Sequence, residues 1–214
     1  MPHTPSADAA RARFATATTT HLSGPLTADV RLDLVDTATW EQHNQALWDD
    51  AGDRGPAFDL RRAMTEDEQA RAMDLEAALT PTLSHRVLLY AGDQVIGAYW
   101  GMQENWQRYY MVYSVVARAW QGRGIYSALL RRVLAAATEA GFREIYSRHG
   151  ADNNAVLVPK LKAGFKLAAM EVAPRFGVLV HLRYFPGEGM RQVAEHRIDG
   201  RHAAALRARG LPIG

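Results

Sequence analysis

Near its middle the chain reads Val115-Val-Ala-Arg-Ala-Trp-Gln-Gly-Arg-Gly-Ile-Tyr126, and the period of its apolar residues changes there. Upstream, Tyr109 to Ala117 is apolar on both faces, the pattern of a central strand covered from both sides. Downstream, Ile125, Leu129, Leu130, Val133, Leu134 and Ala137 fall on one helical stripe. Between the two, Gly122 and Gly124 flank Arg123. The first turn of any helix leaves backbone N–H groups unpaired and carries the positive end of the helix dipole. Glycines remove the Cβ that would keep an anion away from those groups. A buried strand, a Gly-x-Gly turn and a strong helix in succession therefore form a phosphate-binding arrangement.

The flanking segments extend this unit into a fold. Ser84 to Tyr90 and Gln94 to Met102 enclose Ala91-Gly92-Asp93 and predict a hairpin. Further back, Val30-Arg-Leu-Asp-Leu-Val35 alternates as a half-buried strand does. Trp40, Leu47 and Trp48 keep helical spacing between Thr37 and Asp50, and Gly52 to Pro56 break the chain. Thr65-Glu-Asp-Glu68 has the form of a capping box, opening a helix that runs towards Leu79 and stops at Pro81. After the central unit, Gly141 closes the long helix. A strand at Arg143 to Arg148 follows, then a short helix from about Asp152, then strands at Phe165 to Val172 and Phe176 to Phe185. The order describes an α+β fold with a mixed, mostly antiparallel central sheet flanked by helices. It divides into a flexible N-terminal arm (1–28), one domain (29–186) and a helical C-terminal extension (187–214).

Composition removes several classes of function. The 214 residues include no cysteine, so there is no disulfide framework, thiolate metal site or cysteine nucleophile. No two of the eight histidines have H-x-x-x-H spacing, and no metal site is expected. No apolar run approaches the roughly 20 residues of a membrane span. The formal charge of +2 is spread along the chain, and the basic stretch His196, Arg197, Arg201, His202, Arg207, Arg209 has no interleaved aromatic. Neither nucleic acid nor membrane is an expected partner. The Ala-, Thr- and Ser-rich start suits an organellar transit peptide or a flexible arm. The arm is preferred, because the same Ala and Arg bias runs through the whole chain, and a cytoplasmic location goes with it. A nucleotide-binding P-loop is disfavoured, since Gly122-Arg-Gly124 has neither Gly-Lys-Ser/Thr nor a third glycine of the dinucleotide type.

The central unit resembles the GCN5-related N-acetyltransferase (GNAT) superfamily. Its cofactor motif, Gln/Arg-x-x-Gly-x-Gly/Ala, aligns with Gln121-Gly-Arg-Gly124-Ile-Tyr126, and Ser114, Val115 and Val116 match the strand before it. Asn153, with the Gly164-Phe165 close of the next helix, matches a second family feature, and the resemblance spans about Val30 to Phe185. It implies the acyl-CoA N-acyltransferase fold and transfer of acetyl from acetyl-CoA, as co-substrate, to a primary amine on a small molecule or peptide. It also implies site residues. The amides of Gln121, Gly122, Arg123, Gly124, Ile125, Tyr126 and Ser127 would hold the pyrophosphate, Ser114 to Val116 would pair with the pantetheine arm, and Asn153 would contact the cofactor further along. A homodimer is a family-level expectation.

Two departures bear on catalysis. Tyr126 stands where a small residue is usual. Lys160, preceded by Pro159, stands seven residues after Asn153, where many members carry the tyrosine that protonates the leaving thiolate. Lys160 is expected to be a solvated helix lysine beside Lys162, with a cationic role towards the thiolate as the alternative, and Pro159 to kink its helix. The positions that often carry the general base hold Tyr110, Val112 and Arg148. Tyr110 and His149 are then the nearest titratable candidates, with Glu104 as a third and a water-relayed base as another route. An acyl-CoA-binding module without turnover would also account for the missing acid and base.

Overall fold

The computed structural model describes residues 6–51, 64–77 and 83–212. The first half contains helix α1 (Ala7–Leu22), strands β1 (Gly24–Pro25) and β2 (Arg31–Val35), helices α2 (Thr37–Ala51) and α3 (Glu66–Ala77), and strands β3 (Ser84–Ala91) and β4 (Gln94–Gln103). Strand β5 (Arg108–Val116), helix α4 (Ile125–Glu139), strand β6 (Glu144–Gly150), helix α5 (Asn154–Lys162), strands β7 (Lys166–Ala173) and β8 (Gly177–Tyr184), and helices α6 (Glu188–Asp199) and α7 (Ala203–Ala208) complete it. The strands form one sheet in the order β1-β2-β3-β4-β5-β6-β8-β7. Every neighbouring pair is antiparallel except β5 and β6.

Local chemistry explains the elements. The β3–β4 hairpin closes through Gly92 at φ +58°, with Ala91 facing Gln94. At the start of α3 the capping box is reciprocal: Thr65 N–H donates to the Glu68 carboxylate (2.8 Å) and Glu68 N–H donates to the Thr65 hydroxyl (3.3 Å). Helix α5 runs on through Pro159, whose carbonyl accepts from Ala163 N–H at 3.0 Å. The expected break at Gly52 to Pro56 and the stop at Pro81 lie outside the described residues.

The sheet buries both faces. On one face Leu88, Ala98 and Val115 pack against Trp40 and Leu47 of α2. On the other, Val87, Leu89, Ile96, Met111 and Ile145 pack against the apolar stripe of α4 and against α1. The flexible arm expected over 1–28 holds, in its described part, helix α1 and the short strand β1, which pairs with β2. Ser6 caps α1 by accepting from Ala9 N–H (3.2 Å), and Phe14, Ala17, Thr18 and Leu22 turn inward at helical spacing. His21 of α1 also meets Glu139 of α4 at 2.6 Å. In the C-terminal extension two basic side chains meet acids: His202 with Glu195 (2.9 Å) and Arg201 with Asp199 (2.7 Å). No described helix is long and apolar enough to cross a membrane.

Candidate active site

Strands β5 and β6 start side by side and then part. Their register runs Arg108 to Glu144, Tyr109 to Ile145 and Tyr110 to Tyr146, and among the described residues it ends there. Beyond that point β5 keeps its pairing with β4, and β6 keeps its pairing with β8. A wedge opens between them, bounded on one side by the edge of residues 111–116 that faces away from β4. At the end of that edge a single 3-10 turn (Arg118–Trp120) leads into the glycine loop. Gly122 and Gly124 have φ of +76° and +77°, and a Cβ at either would meet nothing within 4 Å. The requirement for glycine is therefore the left-handed backbone, with lack of space playing no part. The loop is exposed. Ala128 N–H donates to the Gly124 carbonyl (3.0 Å), so the amides of residues 125–127 belong to the open first turn of α4.

Other contacts fix the loop. Gln121 bonds internally: its backbone N–H donates to the Arg118 carbonyl (3.2 Å) and its side chain to the Val116 carbonyl (2.9 Å). It shapes the turn. Arg118 N–H donates to the Asp50 carboxylate (2.7 Å), tying the turn to the end of α2. The Arg123 guanidinium lies over the Trp120 ring, 4.6 Å from its centre. Tyr126 turns inward, with its hydroxyl shielded from solvent and within electrostatic reach of buried Tyr99, so its bulk leaves the loop open.

At the apex of the wedge sits Lys160, which the sequence reading placed in solvent. It is 1% exposed. From α5 its Nζ reaches Ser147 Oγ on β6 (2.7 Å) and Met111 Sδ on β5 (3.3 Å), and lies 4.9 Å from the centre of the Phe165 ring. Burial pushes its pKa well below the ordinary lysine value.

The opposite face of the sheet carries a linked polar surface beside the apex. Arg148 donates to the Tyr110 hydroxyl through Nε (3.3 Å) and Nη2 (3.2 Å), and to the Glu171 carboxylate through Nη1 (3.2 Å). The other Glu171 oxygen lies 2.8 Å from His181 Nε2, and His181 Nδ1 lies 2.9 Å from the Tyr146 hydroxyl. Tyr146 is buried, and loss of solvation pushes its pKa up to about 12. Strand pairing assembles the group: Arg148 faces His181 across β6 and β8, and Tyr110 faces Tyr146 across β5 and β6.

The structure brings some of the sequence candidates together and separates others. Ser114, Val115 and Val116 lie on the edge that faces away from β4, and residues 121–127 form the loop at its end. Asn153 precedes α5, just beyond the end of β6, and its carbonyl accepts from Leu157 N–H (2.9 Å). Tyr110 stands beside the apex. His149 does not join it, because strand alternation puts His149 on the face of Ser147 and Tyr110 on the face of Arg148. Glu104 is ion-paired to Arg108 (3.0 Å). Glu171 and His181, which no sequence motif marks, join this surface, and Lys160 is buried at the apex.

The model of the acetyltransferase (GNAT) family matches residues 40–165. No curated protein matches the chain. Among solved structures it is similar to the Salmonella typhimurium acetyltransferase that modifies the N-terminal serine of ribosomal protein L7/L12, at 13% identity and TM-score 0.54, covering 76% of this chain and 98% of that one. It is also similar to Arabidopsis thaliana Naa50 in complex with a bisubstrate analogue (21%, TM-score 0.51, 73% and 99%) and to an N-acetyltransferase from Staphylococcus aureus Mu50 (17%, 0.53, 74% and 99%). At these identities the structures speak for the fold, and the family match speaks for the chemistry. The parted parallel strands, the glycine loop and the family match together make this chain a member of the acetyltransferase (GNAT) family, an enzyme that transfers acetyl from acetyl-CoA to an amine.

Proposed function

We propose that acetyl-CoA lies in the wedge between β5 and β6, with its pyrophosphate on the amides of Gly122, Arg123, Gly124, Ile125, Tyr126 and Ser127. The observation that carries this is the parting of the two strands directly ahead of an exposed, positively polarised helix start. A pyrophosphate there meets several N–H groups and the α4 dipole. The pantetheine arm then runs back along residues 114–116, whose edge away from β4 offers hydrogen bonds as a neighbouring strand would. Asn153 bounds the wedge on the β6 side. The acceptor, a primary amine on a small molecule or peptide, approaches across the Tyr110, Arg148 and Glu171 surface. Tyr110 oxygen and the Glu171 carboxylate receive its ammonium, and Arg148 holds both in place. Of the two sequence candidates for proton transfer, Tyr110 is the one on the acceptor side.

Thermal unfolding with and without acetyl-CoA tests the cofactor placement, using the wild type and Ser127→Glu. A carboxylate in the first turn of α4 suits the helix dipole and leaves the fold intact, while it repels a pyrophosphate. At one hundred times its dissociation constant the ligand adds about 2.7 kcal/mol. For a chain of this length that raises the melting temperature by about 5–10 °C. The expected result is that shift in the wild type and almost none in the variant. Equal shifts, or none at saturating acetyl-CoA, would overturn the placement.

A further inference from the structure

Lys160 is a cost the free protein bears without an evident return. A wholly buried ammonium is expensive unless an anion accompanies it, and among the described residues no carboxylate pairs with this one. Its polar neighbours are a hydroxyl, Ser147 Oγ, and a thioether, Met111 Sδ. They come from the two strands at the point where those strands part. The wedge has a definite reach: from Val116 back to Met111 is five strand steps, about 17 Å. An extended pantetheine arm with its two amides has a similar length. If its pyrophosphate is on the glycine loop, its sulfur therefore arrives at the apex, where Lys160 already donates to a sulfur atom.

We propose that the Lys160 amine is the partner of the CoA sulfur: it ends the reaction carrying the proton released by the attacking nitrogen, and holds the departing thiolate as an ammonium–thiolate pair. The inference rests on the cofactor placement proposed above. In the step itself the acceptor nitrogen bonds to the acetyl carbon, and the carbon–sulfur bond breaks with its electron pair left on sulfur. The proton lost by that nitrogen passes to Nζ. When CoA departs, the proton leaves with it as thiol, which restores the amine. Burial suits both ends of this cycle, since it disfavours the lone ammonium and strengthens the pair once the thiolate forms. Among the described residues the groups recorded against Nζ are uncharged. Strand β5 brings Met111, β6 brings Ser147, and Phe165 lies at the end of α5. On the same face the next titratable side chains are Tyr109, two positions before Met111, and His149, two positions after Ser147.

The test is the ionisation of CoA bound to the protein, read from the ultraviolet absorbance of its thiolate as pH is varied. The chain has no cysteine, so the thiolate signal belongs to CoA. A free thiol of this kind titrates near about 8.5. With wild-type protein the bound thiol is expected to titrate at least about one unit lower, and with Lys160→Met at or above the free value. Lys160→Met removes a buried charge at nearly constant volume and is expected to fold; Lys160→Gln serves as the second variant. Acetyl-CoA, which has no ionisable sulfur, is expected to bind both variants as it binds the wild type, while CoA binds them at least about tenfold more weakly. An unshifted thiol on the wild type, or the same shift in both variants, overturns the role of Lys160 and leaves the cofactor site standing. Failure of acetyl-CoA to bind the wild type overturns the site and this inference together.

Discussion

Acidification should loosen this protein through one histidine, and the effect can be calculated. His85 lies beneath α1, stacked on Phe14 (ring centres 5.3 Å apart, planes 15° apart). Its Nε2 is 2.6 Å from the Tyr109 hydroxyl and its Nδ1 is 3.3 Å from Thr18 Oγ1, while Tyr109 in turn meets Tyr99 at 2.7 Å. Thr18, Tyr109 and Tyr99 bring no charge to the imidazole, and loss of solvation pushes the His85 pKa down to about 3. In the unfolded chain the imidazole titrates near about 6.5. Above that value neither state binds the proton, and the full stability is present. Below it the unfolded chain takes up a proton that the folded protein refuses, so stability falls as pH falls towards 3, by about 1.4 kcal/mol per pH unit. Between about pH 7 and pH 5 the loss is about 2 kcal/mol, or a fall of about 4–8 °C in melting temperature. Urea unfolding followed by tryptophan fluorescence across that range measures it. His85→Gln supplies the control, because an amide bridges the same hydroxyls but does not titrate. Its stability at neutral pH should be lower and its decline with acid shallower by about the calculated amount. Parallel declines in the two proteins would refute the reasoning.

The same hydroxyl chain makes Gly101 critical, since a Cβ there would overlap the Tyr109 hydroxyl and crowd that of Tyr99. Gly101→Ala should lower stability by about 3 kcal/mol, seen as a reduced urea midpoint. On the acceptor face, Arg148→Ala releases Tyr110 and Glu171 together. It should raise KM for the amine at least about tenfold while leaving the thermal shift with acetyl-CoA unchanged.

The parts of this fold that a sequence shows are those carried by local period. The switch at residues 115–126 was legible because a two-sided strand, two glycines and a strong helical stripe follow one another within a few residues. The Thr65 and Glu68 cap was legible for the same reason. Helix α1 was not, because its buried stripe is Phe14, Ala17, Thr18 and Leu22, and alanine and threonine in an Ala-Thr-rich segment carry almost no periodic contrast. The Tyr110, Arg148, Glu171 and His181 surface has no local spacing at all, since cross-strand register over four strands assembles it. One residue of parity separates Arg148, which joins it, from His149, which the sequence offered instead. Lys160 was misplaced by the sound rule that lysines are solvated. Its partners, Met111 and Ser147, come from strands far away in the chain.

The wedge itself has a cause in the residues around its apex. Where Trp100 of β4 pairs with Tyr113 and Gly101 with Met111, Val112 is left over on β5. An extra residue of this kind bends the strand that carries it and increases its twist. The bend falls two residues after Tyr110, the last residue of β5 in register with β6. Gly101, across from the bulge, lets β4 follow without a Cβ striking the tyrosine pair beneath it. Lys160 then fills the first position at which the two strands no longer touch, reaching Met111 on one and Ser147 on the other. Strand parting and amine placement are thus one event: the bulge that turns β5 out of register exposes the edge proposed to hold the cofactor, and it also fixes the distance from the glycine loop to Nζ. Shortening β5 by deleting Val112 would remove both at once, restoring register with β6 and closing the apex, so that the thermal shift with acetyl-CoA should be lost.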